Sequence, residues 1–176
     1  MDIRTLQEIQ QRLIKTPRFC VQADSSSYER ELAQSPSLAV VRDIARWWRA
    51  YQLERYCLIT SGLLQVQGDF EAAVADFYET TQNVPAWIED AGDAFLRFIA
   101  RRPDPVAASL AEFEAALIAA RKGELMSGRV IDWNVHPYEV LRTALSQKMA
   151  NEWTPGRFQT LVSSNIDGYF TVFEMN

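Results

Sequence analysis

The stretch AEFEAALIAARKGELMSGRVIDW, residues 111–133, decides the fold. Leu110, Phe113 and Leu117 step by three and four, the spacing that gathers apolar side chains on one face of a helix running from about Val106 to Lys122. Gly123 stands where such a helix ends, because glycine takes the left-handed C′ conformation without a Cβ penalty. Beyond it the period changes: Arg129-Val130-Ile131-Asp132-Trp133 alternates and is rich in β-formers, so it reads as a short strand. The chain is therefore expected to be mainly α, a helical bundle over residues 1–125. A small α+β part over 126–176 follows, with a β-hairpin.

Upstream, the helical pattern repeats. Ile3, Leu6, Ile9 and Leu13 mark a first amphipathic helix that stops before Pro17. The polar residues 22–27 form a loop whose serines can cap a short helix through Tyr28, Glu31 and Leu32. Pro36 begins a longer helix with Leu38, Val41, Ile44, Trp48 and Tyr51 facing the core. Asp69 is the expected N-cap of a helix carrying Phe70, Val74, Phe77 and Tyr78, and Pro85 opens another with Trp87 or Ile88, Ala91, Phe95, Phe98 and Ile99 facing inward. Downstream, Pro137 to Gln147 reads as a helix. Residues 157–175 hold two β-rich runs around Asp167-Gly168, with Tyr169, Thr171, Phe173 and Met175 on one face and Phe170 and Val172 on the other.

Composition narrows the function classes. Of the 176 residues 48% are hydrophobic and 23% charged, enough apolar material for one core. No apolar run reaches the roughly 18 residues of a membrane span. The N-terminal MDIRTLQEIQQ places charge and glutamine where a signal peptide has its apolar region, so a cytoplasmic protein is expected. Cys20 and Cys57 form no CxxC pair and read as buried free thiols. The net charge of −5 disfavours sequence-independent nucleic-acid binding, which depends on neutralised phosphates.

Arg42, Arg46 and Arg49 stand at i, i+4 and i+7 and form one row on the long helix. The row is either the charged back of a core helix or a contact for phosphate or an acidic protein surface. Residues 69–114 carry ten acids against three arginines, a net of −7, which keeps those helices away from a DNA backbone.

Catalytic and metal-binding patterns are sparse. His136 is the single histidine, so neither a Glu-x-x-His pair nor a three-ligand zinc set can be assembled around it. With Pro137 following, His136 reads as a strand-to-helix corner. Neither GxGxxG nor GxxxxGK occurs. Cys57, inside ERYCLI, reads as buried on a helix rather than as a thiolate nucleophile. The expectation is a protein without its own active site, metal or cofactor.

One block has a more specific pattern: the aromatic-basic Arg46–Tyr56, then Gly68-Asp69-Phe70, Asp76-Phe77-Tyr78, the Gly92–Ile99 segment and Leu110–Leu117. This block, about residues 45–120, resembles a family labelled as DNA-binding domains, whose members pair with iron-dependent oxidases that modify ribosomally made peptides, as in methanobactin biosynthesis. The resemblance implies a non-catalytic subunit that steadies an iron-dependent oxidase and helps present a precursor peptide. Arg42, Arg46 and Arg49 would then meet an acidic patch on the oxidase or an acidic leader peptide. The hairpin, with Tyr169, Thr171 and Phe173, would take up an extended peptide by β-addition, or would simply cover one end of the bundle. Two other classes stand beside this one. The first is a DNA-binding transcriptional regulator. The second is a small-ligand protein with a pocket between the helices and the hairpin.

Overall fold

A computed structural model describes residues 4, 5, 7, 9, 26–81, 84, 87–148 and 152–175. Most of the expected first helix, Cys20 and the helix start at Pro85 lie outside the described residues. From residue 26 onward seven helices and three strands follow: α1 (Ser27–Gln34), α2 (Pro36–Tyr56), α3 (Leu58–Gln67), α4 (Phe70–Thr80), α5 (Ile88–Ile99), α6 (Pro105–Arg121), β1 (Arg129–Val135), α7 (Pro137–Ser146), β2 (Pro155–Val162) and β3 (Phe170–Glu174). The chain is mainly α with a small antiparallel sheet in its C-terminal part, as its residue patterns predict.

The chain divides into two compact units between Tyr51 and Gln52. In the first, Ser26 and Glu29 cap α1 reciprocally. The Glu29 N–H donates to Ser26 Oγ at 3.2 Å and the Ser26 N–H donates to Glu29 Oε2 at 2.9 Å. Pro36 then sits at the first position of α2, where a missing N–H costs nothing.

The second unit holds α3 to β3, so the strands and α7 of 126–176 share one core with the helices before them. Local signals place most of its boundaries. Gly68, at φ 77°, ends α3, and Asp69 occupies the N-cap of α4 without a side-chain cap bond. Asp104 Oδ1 accepts the N–H groups of Val106 and Ala107 at 2.9 and 3.3 Å, with Pro105 opening α6. Gly123, at φ 77°, and Glu124 then close α6 through their N–H groups to Ala120 and Ala119.

The core is aromatic and aliphatic: Phe77, Phe95, Phe113, Leu53, Leu63 and Leu110 are fully buried, each side chain contributing about 1.5–3 kcal/mol relative to exposure. Phe77 meets Phe95 edge-on at 5.3 Å. The sheet lays one face on α6, where Phe113 contacts both Trp133 and Phe170.

Two glycines set helix spacing. At Gly92 the ring of Tyr56 occupies the space of a Cβ, which lets the Tyr56 hydroxyl donate to Asp93 at 3.0 Å. At Gly62 the backbone carbonyl of Ala144 stands where a Cβ would go, so α3 and α7 touch through main chain. Gly62→Ala is expected to cost about 1–3 kcal/mol, because backbone must shift to admit the methyl group, and thermal denaturation measures it.

α3 depends on a distant residue. Its N-cap is Cys57, whose side chain makes no cap bond. The carboxylate of Glu114 on α6 instead accepts the N–H groups of Ile59 at 2.8 Å and Thr60 at 2.7 Å. At the other end of α3, Gln67 Nε2 donates to Asp104 Oδ2 at 3.0 Å, so α3 and α6 are pinned at both ends.

Candidate peptide-binding sheet edge

The sheet order is β1-β2-β3, antiparallel throughout. In such a ladder alternate residues of an edge strand turn their backbone groups to the neighbour or away from it. The N–H of Met175 donates to the Arg157 carbonyl at 2.8 Å, and that of Ser163 to the Tyr169 carbonyl at 2.9 Å. With Phe173 opposite Gln159 and Thr171 opposite Leu161, the odd-numbered residues of β3 therefore bond β2. Phe170, Val172 and Glu174 turn their N–H and C=O groups outward. Among the described residues no strand pairs with that side of β3.

On the opposite edge of the sheet one outward group is taken by a helix. The Asp132 carbonyl on β1 accepts the Ser109 hydroxyl of α6 at 2.7 Å. Among the described residues β3 offers an unpaired edge of the kind that takes up an added strand.

Side chains agree with the alternation read from sequence. Phe170 and Val172 are half-buried on the α6 side; Tyr169, Thr171, Phe173 and Met175 are exposed. Phe173, at 47% exposure, shares the outer face of the sheet with Val130 and Gln159. The structure thus brings the expected peptide-binding residues Tyr169, Thr171 and Phe173 onto one surface beside the open edge. Tyr169 also holds φ at 73°, a left-handed conformation that costs a bulky residue of order 1–3 kcal/mol. The loop that holds it is anchored: Ser164 Oγ donates to the Ala120 carbonyl at 2.9 Å and Asn165 Nδ2 to that of Met126 at 3.0 Å.

In the first unit α2 differs from its sequence reading. Trp48 and Tyr51, expected in the core, are exposed at 51% and 40%, and Val41 and Ile44 are exposed as well. Trp47, at 62%, stacks on Tyr51 with ring centroids 5.5 Å apart, and Trp48 stacks on the same ring at 5.6 Å. Leu38 is buried as expected. The arginines do not form one exposed row: Arg42 and Arg49 are half-buried, while Arg46 is exposed and paired with Asp43 at 2.6 Å. Periodicity marks a helical face but not whether anything covers it. The exposed face of α2 is therefore apolar and aromatic with Arg46 at its border, a surface of the kind that binds protein. Trp48→Ala is expected to change stability by less than about 1 kcal/mol, where a core tryptophan would lose 3–5 kcal/mol; chemical denaturation separates the two.

The other chemistry-bearing side chains have structural partners. Cys57 is fully buried at the break between α2 and α3, rather than within a helix, and its thiol donates to the Gly92 carbonyl at 3.5 Å. Burial, reinforced by the Glu114 and Asp93 charges, holds that thiol far above its ordinary pKa, so it is not a thiolate. His136 turns the chain from β1 into α7, with its ring 4.9 Å from Phe158. Glu139 receives the Thr154 N–H at 2.7 Å and its hydroxyl at 2.9 Å, and the backbone bond leads in holding its carboxyl below the usual value. Among the described residues no group of three or more His, Cys, Asp or Glu side chains is placed to hold a metal ion, and no helix is long and apolar enough to cross a membrane. In comparisons with known proteins, no family model, curated protein or solved structure matches this chain.

Proposed function

We propose that the chain is a non-catalytic recognition subunit that takes an extended peptide onto the open edge of β3. The observation that carries this reading is the outward set of backbone groups at Phe170, Val172 and Glu174, next to the exposed side chains of Thr171 and Phe173. Main-chain bonds to that edge supply affinity, and the side chains on either side of it supply selection. The apolar face of α2, bordered by Arg46, takes a protein partner.

The resemblance over residues 45–120 makes that partner an iron-dependent oxidase and the peptide its ribosomally made substrate, in the biosynthesis of a natural product. The oxidase carries the iron and the chemistry. A pull-down of the tagged protein from native lysate at moderate salt, with iron assayed in the co-purifying fraction, tests this. A stoichiometric iron protein is the expected result. Nucleic acid recovered in its place, and lost as salt rises, would contradict it and favour the DNA-binding regulator.

A further inference from the structure

The pairing of β1 with β2 is broken at one point. Trp133 pairs with Phe158 and Val135 with Pro155, so Asn134 alone stands opposite both Gly156 and Arg157. This is a β-bulge, which bends the strand and re-aims its side chains. All three residues line a cavity of about 570 Å³, within the range of small-molecule sites. Asp132 and Gln159 line it as well, with Met175 at one side.

Two residues of opposite charge therefore line one open cavity. Asp132 is opposite Gln159 on the outer face of the sheet, and Arg157 lies two residues before Gln159 on the same strand. Asp132 and Arg157 do not close on each other, and among the described residues neither forms an ion pair with any other side chain. The Asp132 carboxylate has one visible restraint. Gln159 Nε2 donates to Asp132 Oδ1 at 2.8 Å and holds that carboxylate on the β1 side. The backbone of Arg157 is fixed by the bulge and by the Met175 N–H donated to its carbonyl.

A carboxylate and a guanidinium held apart around a cavity match a molecule that carries both charges over a short span. We propose that the bulge cavity binds a small zwitterion of the amino-acid class. The ligand carboxylate lies on the guanidinium of Arg157, whose planar fork suits two parallel bonds. The ligand ammonium lies on the second oxygen of Asp132, and the amides of Asn134 and Gln159 supply the remaining polar contacts. Nothing in this site uses the outward backbone of β3, so it stands apart from strand addition.

Calorimetric titration of the intact protein with the twenty free amino acids and a set of Gly-X dipeptides tests the site, each compound compared with its N-acetyl and carboxamide forms. At least one zwitterion is expected to bind, and to weaken about tenfold or more when either end is capped. Arg157→Gln is expected to abolish the discrimination against the carboxamide, and Asp132→Asn that against the N-acetyl form. Both side chains are on the surface, so the variants are expected to fold, and circular dichroism checks it. Val172→Pro, which alters the β3 edge, is expected to leave the zwitterion affinity unchanged. Absence of binding by every compound, or binding that depends on neither charge or on only one of them, would overturn the proposal.

Discussion

Glu114→Ala is expected to destabilise the protein by about 2–6 kcal/mol, because it strips the only acceptors from two N–H groups at the start of a buried helix. Each such orphaned group costs about 1–3 kcal/mol. Ile59 and Thr60 are the residues affected, and Thr60 is fully buried, so water cannot easily replace the carboxylate. For a chain of this length the loss corresponds to a fall of about 4–24 °C in Tm. Glu114→Gln keeps one acceptor and turns an NH₂ group towards the other donor; a loss of about 1–3 kcal/mol is expected. A pH dependence accompanies this. Burial, the largest cause, raises the Glu114 carboxyl above the usual range, so the folded chain holds this proton more tightly than the unfolded one. Its contribution to stability is full below the unfolded value of about 4.3 and is lost as pH rises through the raised folded value. Glu139, whose carboxyl is lowered, acts in the opposite sense, its contribution being lost as pH falls. The difference between wild type and Glu114→Gln in denaturant titrations across pH 4–8 isolates the first effect. A Glu114→Ala variant that unfolds like a surface substitution would refute the capping role.

The second large effect is on binding. Val172→Pro removes an N–H that faces away from β2 and puts a pyrrolidine ring on the open edge of β3. Proline is tolerated on such an edge, so the fold is expected to survive with a loss of about 1–2 kcal/mol. Capture of linear peptides from a displayed library is expected to fall at least tenfold. Thr171→Pro is the control: its N–H belongs to the side of β3 that bonds β2, so this variant is expected to lose about 3 kcal/mol of stability. Equal peptide capture by wild type and Val172→Pro would place recognition elsewhere.

How much of this was legible in the sequence depends on the range of the interaction. Asp69 and Gly123 act within a turn of their own position, and the helix boundaries they mark are where the residues place them. The faces of β3 follow from alternation alone. Glu114 was not legible as a cap, since in LAEFEAAL it resembles any surface acid and its partners lie 54 and 55 residues away. ERYCLI reads as continuous helix through Cys57 because nothing in it signals a break; the cap on the next helix comes from Glu114. The period of α2 predicts a buried face, yet coverage is a tertiary property. The bulge at Gly156-Arg157 depends on the register of β1 against β2, which no local pattern fixes. No local pattern therefore singles out Arg157 and Asp132.

Residue-resolved amide hydrogen exchange, with and without a peptide selected from the displayed library, tests whether the β3 edge takes up the peptide. Added protection is expected at Phe170, Val172 and Glu174, with little change at Thr171 and Phe173, whose N–H groups already bond β2. Protection confined to α2, or a β3 edge that exchanges equally fast with peptide bound, would contradict it.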